Sequence, residues 1–126
     1  MNKVILIGRL TKDPEVRYTQ TNNTQVCSFT LAVKRKFTKK GEEVLADFIN
    51  IVAYSKVAEF VSNYFRKGNQ VSIVGRIQTR NWEDERGQKH FVTEVITEEV
   101  YFADNIKKNN NEINTDSNED SDDLPF

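Results

Sequence analysis

DFINIVAYSKVAEFVSNYFRKGN, residues 47–69, changes period in its middle. Up to Tyr54 it alternates. Ile49, Ile51 and Ala53 fall on one side, and Phe48, Asn50, Val52 and Tyr54 on the other, the period of two of a β-strand. After Ser55 the apolar residues fall at Val57, Phe60, Val61, Tyr64 and Phe65, the i, i+3, i+4, i+7, i+8 stripe of a helix with one buried face. Ser55 is the expected N-cap, Arg66 and Lys67 suit the negative end of the helix dipole, and Gly68 marks the stop. A strand therefore runs directly into a helix.

The sequence on either side has strand character. KVILIGRL (3–10) is a β-rich run ended by the turn signal TKDPE (11–15), and VRYTQ (16–20) extends it before TNNT turns the chain. QVCSFTLAV (25–33) alternates, with Cys27, Phe29, Leu31 and Val33 on one face. After the helix, QVSIVGRIQTRNW (70–82) and HFVTEVITEEVYF (90–102) read as two arms of a hairpin around the polar turn EDERGQK. In the first arm Val71, Ile73, Gly75 and Ile77 are expected in the core, with Arg76, Gln78, Arg80 and Trp82 opposite, provided no bulge intervenes. Three strand regions, one helix and two strands indicate a mainly β domain. The expected architecture is a five-stranded OB-fold barrel with its helix between strands 3 and 4. Another small α+β sheet is the alternative.

The composition shifts near Ile106. Residues 107–126 contain one large apolar residue before the tip, Ile113, and no periodicity, so a disordered acidic tail is expected after a domain spanning residues 1–106. The formal net charge of −1 hides an asymmetry. Residues 1–108 carry all 18 Lys and Arg against 13 Asp and Glu, whereas residues 109–126 carry six acids and no base. A basic body with an acidic tail points to a polyanion-binding domain and a separate interaction segment.

Little in the sequence supports catalysis. Cys27, the single cysteine, cannot form an internal disulfide or build a zinc site alone, and it lies on an apolar strand face. His90, the single histidine, follows the Gly87 turn and reads as a solvated hairpin residue. The five glycines are scattered and form no phosphate loop. The acidic pairs fall in turns. No enzyme activity, metal or cofactor is expected. No apolar run is long enough to cross a bilayer and no secretory signal is legible, so no membrane association is expected and the location is read as cytoplasmic, with the nucleoid.

The aromatic residues carry more information. Trp82, the only tryptophan, lies with Arg76 and Arg80 on the non-core face of its strand, and Phe48 and Tyr54 lie on the non-core face of theirs. Phe37 sits in a loop among Lys34, Arg35, Lys36, Lys39 and Lys40. Unpaired bases expose π faces, each stack on an aromatic ring is worth about 1–3 kcal/mol, and basic residues track the phosphates. A duplex hides those faces, so the pattern favours single-stranded nucleic acid. Lys56, Lys67, Lys89, Arg76 and Arg80 are further candidate contacts. Other readings are Trp82 packed under the hairpin, Phe48 and Tyr54 in a subunit interface or at the barrel end, and each lysine as a solvated charge.

These residues also carry a resemblance. NKVILIGRLTKDPEVRYT, YFRKGNQVSIVGRIQTRNWED and the final DDLPF resemble the opening, the helix end with fourth strand, and the C-terminal tip of bacterial and phage-encoded single-stranded DNA-binding proteins. The resemblance covers residues 2–102 and the last five. It implies sequence-independent coating of single-stranded DNA in replication, recombination and repair by a homotetramer. It places base-stacking positions at Phe37, Phe48, Tyr54 and Trp82, and DNA-contacting lysines at Lys56 and Lys67. Phe37 and Phe48 stand where the family has tryptophan, which implies modestly weaker stacking. Asn81 stands where it often has lysine, and Ile49 where some members have a histidine at a subunit contact. The rival readings are an OB-fold primosome or RNA-binding module, a protein-interaction adaptor, and a nuclease.

In this family the acidic, apolar-tipped end recruits other genome-maintenance proteins. Here that end comprises Asp122, Asp123, Leu124, Pro125 and Phe126, with Asp120 beside it. A basic rim would take the acids and an apolar pocket the phenylalanine, while the terminal carboxylate adds a charge only a chain end supplies. The charge asymmetry also implies that the tail competes with DNA for the basic body. Deleting residues 107–126 is expected to tighten DNA binding at low salt, with the gain shrinking as salt rises. Equal affinity of the full-length and truncated chains at every salt concentration contradicts this.

Overall fold

The computed structural model describes residues 1–36, 41 and 45–104. Phe37, Lys39, Lys40 and the acidic tail with its tip lie outside the described residues. Six strands and one helix follow in the order β1 (Val4–Leu10), β2 (Glu15–Tyr18), β3 (Gln25–Lys34), β4 (Ala46–Tyr54), α1 (Ser55–Tyr64), β5 (Gln70–Glu83) and β6 (Lys89–Phe102). The sheet order is β1-β5-β6-β4-β3-β2, and an additional pairing of β1 with β3 closes it into a barrel. The expected OB-fold barrel is present, with the helix plugging one end and crossing from β4 to β5.

The added strand is β2. The sequence allowed residues 16–20 to extend the first strand, and after a break at residues 11–14 the chain does run on in the same direction: β1 and β2 are both antiparallel to β3, β1 against Leu31 and Ala32 and β2 against Gln25 to Ser28. Asp13 is held there because its Oδ1 accepts the Lys67 N–H at 2.8 Å, and Pro14 has no N–H to continue a ladder. The helix therefore lies between the fourth and fifth of six strands.

Alternation puts the expected residues inside. Cys27, Phe29 and Leu31 of β3, Ile51 and Ala53 of β4, and Val71 and Ile73 of β5 are buried in one cluster. Ala58, Val61 and Phe65 close it from the helix side, with Phe65 edge-on to Phe29 at 6.1 Å between ring centroids. Burial pushes the Cys27 thiol up to about 11, so it stays protonated and acts as a small apolar side chain. The helical stripe is wider than the face actually buried. Phe60 and Tyr64 lie on its exposed edge, their rings tilted 45° to each other with centroids 4.9 Å apart.

The helix ends differ from expectation. The N-cap is Tyr54, with no side-chain cap bond, and Ser55 is the first helical residue with φ +58°. The strand enters the helix through so sharp a corner that Ser55 takes a left-handed conformation, and no cap can form there. At the other end Arg66 and Lys67 lie beyond the last turn. Arg66 nevertheless satisfies the carbonyls left open there, donating from Nη1 to Ser62 O at 2.9 Å and Phe65 O at 2.7 Å. Gly68, at φ +89°, turns the chain into β5 while its N–H binds Leu10 O at 2.9 Å.

Ile77 is not in the core. β1 begins at Val4, which pairs with Gly75, so β5 beyond that point has only β6 beside it and overhangs the barrel. Ile77 is 47% exposed there, and its backbone N–H and C=O are held by the Asn2 side chain at 2.9 and 2.8 Å. The β5–β6 register shifts between Val74 and Gly75, leaving Glu98 as the extra residue of a bulge. Gly75 sits against it. A Cβ at this position would overlap the Ile96 carbonyl oxygen and approach its carbon to 2.9 Å, and both are backbone atoms. Gly75→Ala is expected to lower unfolding free energy by about 1–3 kcal/mol, measured by urea denaturation.

Candidate nucleic-acid interface

Directly paired residues of neighbouring strands share a face, so the register defines the outer surface residue by residue. Val52 pairs with Ile96, and Ile96 with Arg76. Following β4 gives Phe48, Asn50 and Tyr54 on that face. Following β6 and β5 gives Val92 opposite Arg80 and His90 opposite Trp82. On the other side Tyr54 faces Val26, which faces Arg17 of β2. Phe48, Tyr54, Arg76, Arg80 and Trp82 therefore share one continuous surface across five strands. Phe48 is 67% exposed, Trp82 48% and Tyr54 40%, so each ring offers a face to solvent.

The floor of this surface is apolar. Val26, Val52 and Ile96 form a second small buried cluster on the face opposite the main core. Beside it lies a groove of about 260 Å³, lined by Lys12, Arg17, Thr30, Asn50, Arg80 and Glu94 among others. Sequence reading did not single out Lys12 and Arg17; the pairing of Arg17 with Val26 of β3 puts it on this face.

The basic candidates divide by their partners. Arg35 is held by Asp47 across the end of the β3–β4 ladder, Nη2–Oδ1 2.8 Å and Nε–Oδ1 3.1 Å. This pairing keeps the Asp47 carboxyl below the usual carboxylate range and the Arg35 guanidinium above its own. Arg80 lies over Glu94, Nε–Oε2 3.2 Å, and that carboxylate is only 6% exposed. Arg76 donates to Gln78 Oε1 at 2.7 Å and lies 3.9 Å from Glu98. No ion pair joins Lys34, Lys56 or Lys67 to another described residue. Lys34 ends β3 and Lys36 is exposed just after it, near the start of the segment that carries Phe37. Lys56 and Lys67 lie at opposite ends of α1, off the sheet face. Lys56 follows Tyr54 by two residues, and Lys67 sits beside Asp13 and Lys12. Lys89 is exposed at the hairpin tip, paired with Glu83 in the ladder.

His90 is no simple solvated residue. Its ring stacks on Trp82, with centroids 4.4 Å apart and planes 19° apart, and its Nε2 lies 2.9 Å from Asp84 Oδ2. Counting pairs back from the turn would have placed it opposite Trp82. Asp84 organises that turn, its Oδ1 accepting the N–H groups of Arg86 and Gln88, both at 2.9 Å. The His90 bond, then the Gln88 bond, holds the Asp84 carboxyl below its ordinary range. Among the described residues no group of His, Cys, Asp and Glu side chains could hold a metal, and no helix is long and apolar enough to cross a membrane.

The pattern of the Single-strand binding protein family matches residues 1–103. The chain is 50% identical over 116 residues to single-stranded DNA-binding protein 3 of Clostridium acetobutylicum, covering 92% of this chain and 80% of that one. It is 51% identical over 118 residues to single-stranded DNA-binding protein 2 of Listeria monocytogenes, covering 94% and 72%. Among solved structures, the Plasmodium falciparum SSB complex with ssDNA superposes with a TM-score of 0.72 at 28% identity, covering 82% of this chain and 96% of that one.

The Arg80–Glu94 pair makes a prediction that separates it from the exposed pairs. Arg80→Ala strips a buried carboxylate of its partner, whereas Arg76→Ala affects only exposed groups. In urea denaturation Arg80→Ala is expected to cost about 2 kcal/mol and Arg76→Ala under about 0.5. Adding Glu94→Gln to Arg80→Ala is expected to recover most of the loss.

Proposed function

The chain belongs to the single-strand binding protein family, and from that premise we propose that it coats single-stranded DNA without regard to sequence, by stacking unpaired bases on its outer face. The observation that carries the reading is the convergence of Phe48, Tyr54 and Trp82 on one face of the sheet. Stacking on a ring is indifferent to base identity, which gives sequence independence. The duplex is rejected because its π faces are already occupied. Arg17, Arg76, Arg80 and Lys12 supply charge along the path, and Lys34, Arg35 and Lys36 lead toward Phe37, which falls outside the described residues. Lys56 and Lys67 extend the same charge around the helix. The family is one of binding proteins, and no catalytic step is assigned.

The assembly we propose is a homotetramer. Two features support it. Between Val4 and Gly8 β1 pairs with β5 alone among the described residues, because β3 meets it only at Arg9 and Leu10. A strand edge with open N–H and C=O groups is suited to pair with another copy. Next to it Ile5, Ile7 and Tyr101 are 68%, 46% and 54% exposed on one sheet surface, more apolar area than an isolated small domain usually leaves to water. The biological role follows as protection of exposed strands in replication, recombination and repair, in the bacterial cytoplasm with the nucleoid. Genome-maintenance proteins would be recruited through Asp122, Asp123, Leu124, Pro125 and Phe126, which lie outside the described residues.

Two measurements test this. The emission of Trp82, the only tryptophan, is expected to be quenched by oligo-dT and left unchanged by a duplex of equal length. Trp82→Ala is expected to weaken oligo-dT binding by about 1–3 kcal/mol. Binding without quenching would remove Trp82 from the site, and absence of binding would leave the adaptor reading. Light scattering is expected to give four times the 14.6 kDa chain mass, with Ile7→Asp reducing it.

A further inference from the structure

We propose that His90 is a protonation-controlled member of the single-stranded DNA site: its imidazole braces Trp82, and its charge sets the affinity of that end of the groove. The proposal rests on the reading that Trp82 meets bases. One face of the indole is already covered by the His90 ring at 4.4 Å. A base can therefore use only the opposite face, and the brace holds the indole in place before DNA arrives, which reduces the ordering that binding requires.

The same geometry sets the charge at this end of the groove. His90 Nε2 lies 2.9 Å from Asp84 Oδ2. With a neutral imidazole that donates from Nε2, the pair carries one negative charge next to a site meant for a polyanion. Protonation at Nδ1 makes the pair neutral and places a cation against the indole face. The other charged groups around the ring nearly cancel. Arg80 and Glu83 lie on β5, Glu85 and Arg86 in the turn, and Lys89 on β6, with Glu94 of β6 tied to Arg80. Histidine is the side-chain type whose charge changes near neutral pH, so the imidazole is the charge here that protonation can vary. Asp84 stays ionised through that range, because its bonds to His90, Gln88 and Arg86 hold its carboxyl low. The sign is fixed: acidification favours DNA, and by linkage DNA favours proton uptake by His90.

The test uses the full chain and its single tryptophan. Without DNA, Trp82 emission is expected to fall in one step as pH drops from 8 to 6, because a protonated imidazole quenches an indole it touches. His90→Gln removes the step. With oligo-dT at low salt, affinity is expected to rise about threefold from pH 8 to pH 6, the size of one exposed charge, and the rise shrinks at high salt. In His90→Gln, and in His90→Lys with its permanent charge, the ratio of affinities at the two pH values is expected to be one. His90 lies on the overhanging hairpin, away from the core, so both variants are expected to keep the fold. A wild-type affinity equal at both pH values, or a pH response surviving in His90→Gln, overturns the proposal. If oligo-dT binds without quenching Trp82, the reading beneath it fails instead, and the DNA-free step shows which of the two has failed.

Discussion

The two halves of the barrel are joined on one side by a short parallel contact. β2, β3 and β4 form an antiparallel meander, and β1, β5 and β6 form a second antiparallel unit. Between β4 and β6 the register has only Ile51 with Val95 and Val52 with Ile96. Parallel neighbours need a crossover, and here the crossover is α1 together with β5. The contact is apolar on both faces. Ile51 and Val95 belong to the main core, and Val52 and Ile96 to the small cluster beneath the outer groove. Without it the aromatics of β4 and the tryptophan arm of β5 and β6 would be linked only the long way round, through β1 and β3. The helix exists to make the connection, which is why the change of period at Ser55 is so informative.

Much of this was legible because it rests on local periodicity. The alternation in β3 and β4 gave the inward residues, and it put Phe48 and Tyr54 on the opposite side. The barrel followed from the order of elements. What was not legible depends on partners distant in sequence. Ile77 has the right parity for the core, but β1 ends before reaching it, and no local pattern reports where a neighbouring strand stops. Ser55 has the right chemistry for a cap, but the angle between β4 and α1 takes precedence. Arg17 was hidden because only its pairing with Val26 of β3, beyond the break at Asp13-Pro14, shows which face it takes. His90 was misread because its stacking partner lies across a turn, in the register and not in the spacing.

The electrostatics temper the simple picture of a basic groove. Arg35, Arg76 and Arg80 each lie beside a carboxylate, so the attraction to phosphate is moderated along the sheet face. Only Glu94 is buried, and there the arginine shields a group that would be costly to leave alone. The lysines without described partners lie at the margins, at the end of β3 and around α1. Charge thus surrounds the apolar and aromatic floor of the proposed site.

The overhang of β5 and β6 has a mechanical consequence. Past Ile77 and Val95, beyond the pairing with β4 and without β1 beside it, this arm is a two-stranded ribbon, and Trp82 rides near its tip. Phe48 and Tyr54 are set in the wall of a closed cylinder. One end of the proposed stacking surface is therefore a cantilever and the other an anvil. For a ligand that bridges them, the distance between the rings is set by the stiffness of a ribbon that no described strand flanks, separately from the chemistry of the rings it carries.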